Sequence, residues 1–120
     1  MIEDPQAVVG RFFGDVELES CLDKGLSRPR VRPVTKFPED MRIEFPFDLR
    51  HMFPIGTRFR ATVKVIQKTM GGKPHGRPYL RAYDIALVPA SVRDRGLVGR
   101  VRKGSISGLA YEYHWTTGAY

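Results

Sequence analysis

The sequence has one cysteine, no asparagine and no hydrophobic run that approaches the length of a membrane span. The single cysteine, Cys21, excludes an intramolecular disulfide. A membrane helix needs about 20 consecutive apolar residues, so we expect no membrane partner. Residues 1–5 are acidic and lack the charged-then-apolar build of a secretory signal peptide. We therefore expect a cytoplasmic protein that folds without disulfides.

Acidic residues are scarce after residue 48. Residues 1–48 carry ten Asp or Glu and seven Lys or Arg, whereas residues 49–120 carry three Asp or Glu and thirteen Lys or Arg. The net charge of +7 thus combines −3 in the first part with +10 in the second. This asymmetry points to a polyanionic partner, most often nucleic acid. The alternative is a composition bias, because a GC-rich genome favours Arg over Lys and disfavours Asn.

Patterns typical of catalytic and metal sites are also scarce. No Cys/His spacing suits zinc, and the glycine-rich residues 71–76 match neither common phosphate-binding loop. His51, His75 and His114 are scattered, so RNA cleavage by His75 or His114 is the least favoured hypothesis. We expect no metal and no cofactor, and favour a protein that is not an enzyme.

The clearest structural pattern is a β-hairpin over residues 57–88. Residues 57–68 alternate with a period of two, which places Phe59, Ala61, Val63 and Val65 on one buried face. Gly and Pro interrupt residues 69–78, which predicts a long basic loop. Residues 79–88 resume as a strand, and a bulge near residues 83–84 would turn the apolar side chains on both sides of it inward.

The remaining segments predict further short elements. These are strands at 6–19 (bent at Gly14), 41–45, 96–103 and 109–116, an extended edge strand or linker at 27–33, and a short helix within 46–54. The acidic residues of the first strand, Asp15, Glu17 and Glu19, are expected on a solvated face. We predict one β-rich domain over 1–120, mainly β, built as a small antiparallel barrel or strongly bent sheet (OB-like or SH3-like) with one short helix. A two-layer β-sandwich is the alternative architecture.

The candidate site is a basic and aromatic face of the hairpin. Cations that follow a phosphate backbone, beside aromatic rings on which bases stack, are typical of single-strand binding. We therefore expect nucleic acid, preferably single-stranded, to contact a face made of Arg58, Arg60, Lys64, Lys68, Lys73, Arg77, Tyr79, Arg81 and Tyr83. The alternative for these residues is a solvated strand face.

A second hypothesis concerns the aromatic residues near the C-terminus. Tyr111, Tyr113 and Trp115 have strand spacing and would share one face. They would pack a core or a homodimer interface, or line an apolar ligand pocket. The protein would then be a small-molecule or protein-interaction barrel.

Overall fold

The computed structural model describes residues 2–23, 25 and 27–97 as a strongly curved β-sheet with short helical segments. In chain order these are a 3-10 turn at Pro5–Val8, β1 (Phe12–Cys21), β2 (Arg30–Pro33), β3 (Ile43–Glu44), the helix α1 (Phe47–Met52), β4 (Arg58–Met70), β5 (Lys73–Leu87) and a 3-10 turn at Pro89–Ser91. The five strands form one sheet in the order β2-β1-β4-β5-β3, which curls into a nearly closed barrel. The prediction of a mainly β fold built as a small barrel is confirmed; the OB-like or SH3-like assignment stays a prediction.

One pairing in the sheet departs from the predicted antiparallel arrangement. Among the described strands, β3 runs parallel to β5, with Ile43 opposite Leu80, whereas the other three pairings are antiparallel. β3 is also shorter than the predicted strand at 41–45. The edge strands β2 and β3 lie close to each other and run in opposite directions. Five strands cannot alternate in direction all the way round a ring, so one neighbouring pair must be parallel.

The core lies inside the barrel and is dominated by the inward face of β4. Phe59, Ala61, Val63 and Val65 are all buried, as the alternation predicted. Phe59 also packs against two other rings, with centroid distances of 4.9 Å to Phe45 and 5.8 Å to Phe53. Further core side chains from the other strands include Val16, Leu18, Val31, Ile43, Leu80, Ile85 and Leu87. Burial of this apolar area from all five strands holds the curled sheet together.

The first strand begins later than predicted. Residues 5–8 form a 3-10 turn instead of a strand, because Pro5 lies at its start and the Asp4 carboxylate accepts a hydrogen bond from the backbone N–H of Gln6 at 3.1 Å. The chain then turns at Gly10 and enters β1 at Phe12. The N-terminal part of the predicted strand at 6–19 is therefore wrong.

Both predicted irregularities in the strands are present. The register between β1 and β4 shifts between Phe13 and Val16, beside Gly14, where Asp15 adopts a φ of 55°. The register between β4 and β5 shifts next to Tyr83, and Asp84 adopts a φ of 49° with its side chain exposed. Aspartate tolerates this left-handed conformation better than most residues. The two bulges help the sheet to curl into a barrel.

The segment predicted as a long loop is mostly strand, so that prediction is wrong. Gly71 and Gly72, with φ of 60° and 78°, form a two-residue hairpin turn, and β5 starts at once with Lys73. In such a hairpin Met70 and Lys73 are the hydrogen-bonded pair, so the nitrogen of Pro74 points away from β4. No described strand lies on that side, and a proline is tolerated there.

The other predicted segments agree with the structure in part. Residues 30–33 form the edge strand β2, and α1 lies within 46–54, so both predictions are confirmed. Gly96 and Leu97 belong to a helical turn in which the Asp94 carboxylate accepts a hydrogen bond from the backbone N–H of Leu97 at 3.0 Å, so a strand does not begin at 96. The rest of the predicted strands at 96–103 and 109–116 lies outside the described residues. None of the helices in the described part of the chain is long and apolar enough to span a membrane.

Candidate nucleic-acid interface

The outer face of the barrel carries a charge ladder across β2, β1 and β4, formed by Arg32, Glu19, Arg58 and Glu17. Arg32 donates to Glu19 at 2.8 Å, and Arg58 donates to Glu19 at 3.2 Å and to Glu17 at 2.7 Å. The ladder follows from the strand register, which places Glu19 opposite both arginines. The acidic face of β1 therefore neutralises part of the basic face of β4.

The pKa of Glu19 reflects its place at the centre of the charge ladder. The hydrogen bond from Arg32 lowers the pKa of Glu19, burial opposes this effect, and the charge of Arg58 lowers the pKa further. Only 17% of the Glu19 side chain is exposed, so its attraction to both guanidinium groups is screened less than on an open surface. Glu19 is thus ionised over the whole physiological pH range.

Three further arginines of the predicted site are held by carboxylates from other parts of the chain. Arg60 contacts Asp15 at 3.1 Å, Arg77 contacts Asp40 at 2.9 Å, and Arg81 contacts Glu44 at 2.8 Å. With Arg58 in the charge ladder, all four predicted phosphate-binding arginines have an acidic partner within the protein. The charge asymmetry seen along the sequence is therefore partly balanced in space.

The three lysines of the predicted site differ from its arginines. Within the described part of the chain, Lys64, Lys68 and Lys73 form no ion pair with a carboxylate. Lys64 places its Nζ 5.3 Å from the centre of the Phe12 ring, and Lys68 lies 6.0 Å from the centre of the Tyr79 ring. Lys73 follows the hairpin turn and is exposed. These lysines supply positive charge that is not balanced by a neighbouring acid.

The two tyrosines of the predicted site have different surroundings. Tyr83 is 36% exposed and its ring centroid lies 5.9 Å from that of Phe12, which is 58% exposed. Tyr79 is only 8% exposed, with Arg42 and Lys68 within cation–π distance of its ring. Tyr79 therefore offers no free face for stacking, whereas Tyr83 and Phe12 form an exposed aromatic pair.

Sequence reasoning missed Phe12 as a member of this face. β1 pairs with β4 so that Phe12 lies opposite Lys64, and Lys64 lies opposite Arg81 of β5. The sequence carries a weak signal in the adjacent Phe12 and Phe13, one of which must face outward on a strand. Only the pairing of β1 with β4 brings Phe12 next to Tyr83. We call Phe12, Lys64 and Tyr83 the aromatic-lysine patch.

The histidines of the nuclease hypothesis are not brought together within the described residues. His75 is exposed and lines a half-open pocket of about 350 Å³ with Lys68, Arg77 and Tyr79. The His51 ring lies on α1 against Phe47, and His114 lies outside the described residues, as do Tyr111, Tyr113 and Trp115. No group of three metal-ligating side chains occurs in the described ranges, and the carboxylates of β1 are engaged with arginines.

Comparisons with known proteins found no match: no protein-family model, no curated protein and no solved structure is similar to this chain. Function must therefore be argued from the surface itself.

Proposed function

We propose that the protein binds single-stranded nucleic acid along the outer face of the β4–β5 hairpin. The observation that carries the proposal is the aromatic-lysine patch, in which two exposed rings lie 5.9 Å apart and Lys64, without a carboxylate partner among the described residues, lies 5.3 Å from the centre of the Phe12 ring. Exposed rings beside cations are the arrangement on which unpaired bases stack while their phosphates are neutralised. Phe12 and Tyr83 would stack bases.

The positions of the three lysines along the hairpin indicate the path of a bound strand. Lys64 lies in the patch, Lys68 lies further along β4, and Lys73 follows the hairpin turn. A strand rises about 3.3 Å per residue, so Lys64 and Lys68 are roughly 13 Å apart along β4. A single strand that stacks on the patch would pass these lysines toward the hairpin tip. Tyr79 does not belong to the stacking surface, because it is buried.

The arginines have a secondary role in this proposal. Arg58, Arg60, Arg77 and Arg81 are already engaged with acids, and releasing them to bind phosphate would leave those acids unpaired. They therefore add less to binding than their number suggests. The three lysines alone predict a salt dependence with a slope of about −2 in log K against log salt, since each phosphate contact on a single strand contributes about −0.7.

The test is the fluorescence anisotropy of a labelled single strand titrated with protein at about 50 mM and about 200 mM salt. Phe12→Ala and Tyr83→Ala should each weaken binding about 5- to 150-fold, because stacking contributes about 1–3 kcal/mol per base. Lys64→Gln should weaken binding and reduce the salt slope by about 0.7. A duplex of the same sequence should bind more weakly, because its bases are not free to stack.

Phe47→Ala is the matched control, since Phe47 is 56% exposed but lies on α1. It should leave binding unchanged. If Phe12→Ala, Tyr83→Ala and Phe47→Ala all bind like the parent protein, the aromatic-lysine patch is not the interface. If the parent protein does not bind a single strand even at the lower salt, the proposed function itself is wrong.

A further inference from the structure

A second feature of the barrel is a cavity at its seam, where the edge strands β2 and β3 approach each other without pairing. Its volume is about 430 Å³, within the range of small-molecule sites. Arg30 of β2, Arg42 before β3 and Arg50 of α1 converge on it from three segments of the chain. Val31 and Ile43 supply an apolar part of the lining. We call it the seam cavity.

Two aspartates also line the seam cavity, and both are already paired. Asp23 forms an ion pair with Arg30 at 2.6 Å. Asp40 forms an ion pair with Arg77, which lies outside the cavity, at 2.9 Å. The Arg77 hydrogen bond holds the pKa of Asp40 below its usual value, so this carboxylate stays ionised and paired. The acids therefore leave the charge of the other two arginines uncompensated.

Arg42 and Arg50 have no carboxylate partner among the side chains that the structure describes. Each lies beside an aromatic ring, Arg42 at 5.5 Å from the centre of Tyr79 and Arg50 at 5.7 Å from the centre of Phe47. The Nε of Arg50 is buried and has no hydrogen-bond acceptor in the described part of the chain. A buried donor without an acceptor is costly, and an anion close to the same guanidinium group would offset part of that cost. These ring contacts restrict the positions of the two guanidinium groups, and both arginines line the seam cavity.

We propose that the seam cavity binds a small phosphate-bearing anion through Arg42 and Arg50. Guanidinium groups bind phosphate oxygens through two parallel hydrogen bonds, and a bound phosphate would balance the charge of both arginines. Arg30, held by Asp23, forms the third basic wall. The cavity is large enough for a diphosphate or for the phosphorylated end of a larger molecule. This proposal does not depend on single-strand binding, which uses residues on the hairpin.

The test is isothermal titration calorimetry of the full chain with inorganic pyrophosphate. The parent protein should show saturable binding to one site. Arg50→Gln should weaken it about 10-fold or more, because it removes a charge-assisted pair of hydrogen bonds. Arg50→Lys keeps the charge but not the planar fork, so its affinity should lie between those of the parent and Arg50→Gln.

Arg11→Gln is the matched control. Arg11 is exposed and lies 5.3 Å from the centre of the Phe13 ring. Arg11→Gln therefore removes one positive charge and one contact between an arginine and a ring, as Arg50→Gln does, but away from the seam cavity. It should change pyrophosphate affinity less than twofold. Circular dichroism will show whether Arg50→Gln folds. If Arg50→Gln does not fold, the test passes to Arg42, which is exposed, and Arg42→Gln must show the same loss of pyrophosphate affinity.

Two results would overturn the proposal. The first is the absence of saturable pyrophosphate binding to the parent protein. The second is an equal loss of affinity in Arg11→Gln and in the seam variants, which would indicate a general charge effect. Competition then identifies the source of the anion: displacement by a 5′-phosphorylated oligonucleotide but not by its 5′-hydroxyl form supports a nucleic-acid end. Failure of both oligonucleotides to compete supports a free small phosphate in the same cavity.

Discussion

Replacing Glu19 by Gln should destabilise the barrel by removing the centre of the charge ladder. Glu19 accepts hydrogen bonds from Arg32 at 2.8 Å and from Arg58 at 3.2 Å. Well-shielded hydrogen bonds to charged groups contribute about 1.5–3 kcal/mol, whereas exposed ion pairs contribute about 0.2–1 kcal/mol. The side chains of Arg32 and Arg58 are 36% and 41% exposed, so solvent screens both contacts and the contribution of each lies near the lower range. We expect a total loss of about 1–2 kcal/mol in the free energy of unfolding at pH 7.

The pH dependence of this loss follows from the direction of the Glu19 pKa shift. An unperturbed glutamate titrates near 4.5, and the folded state lowers the pKa of Glu19 below that value. The stabilisation is therefore complete above about pH 4.5 and disappears as the pH falls through the folded pKa. The difference in stability between the parent protein and Glu19→Gln should shrink correspondingly below that pH. Urea unfolding at neutral and acidic pH measures it.

Glu39→Gln provides the control for this prediction. Glu39 contacts the same Arg32, but at 3.6 Å and with 74% of its side chain exposed. Its removal should cost less than about 0.5 kcal/mol. If Glu19→Gln also costs less than about 0.5 kcal/mol, or if its cost does not change with pH, the charge ladder does not stabilise the barrel as argued.

Two other predictions concern the hairpin. Glu44→Gln should strengthen single-strand binding about 2- to 5-fold and steepen the salt slope by about 0.7. The reason is that Arg81, which lies opposite Lys64 in the β4–β5 pairing, loses its acidic partner at 2.8 Å. An unchanged slope in the anisotropy titration would mean that Arg81 does not reach a phosphate. Gly72→Ala should cost about 1–2 kcal/mol in urea unfolding, because φ at that position is 78°. Gly14→Ala, at an equally open position without a positive φ, should cost less, and equal costs would contradict the strain argument.

The charge distribution shows why sequence and structure lead to different views of the same residues. Along the sequence, the arginines after residue 48 appear as an excess that needs a polyanion. In the barrel, Arg58 meets acids that lie 41 and 39 positions earlier in the chain. The antiparallel pairing of β1 with β4 creates these contacts, and sequence patterns do not specify which strands pair. Within the described part of the chain, the basic surface without acidic partners is therefore smaller than the sequence suggests and richer in lysine.

Features that depend only on neighbours in the chain can be predicted from the amino-acid sequence. The alternation of β4 follows from the period of two that any strand imposes on its side chains. The bulge at Asp84 follows from the break in the apolar pattern of β5, and the limits of α1 follow from the flanking prolines. These signals come from local geometry, so they can be recognised without knowledge of the fold.

Arrangements that join distant parts of the chain come from the tertiary structure. It turned the predicted basic loop into strand: two adjacent glycines allow a tight turn as readily as a flexible loop, and the pairing of β4 with β5, with Lys68 opposite His75, selects the tight turn. It covered Tyr79 with Arg42, placed Phe12 beside Tyr83, and gathered Arg30, Arg42 and Arg50 around the seam cavity. Each of these arrangements follows from the way five strands close into a barrel, which brings segments far apart in the sequence to one surface.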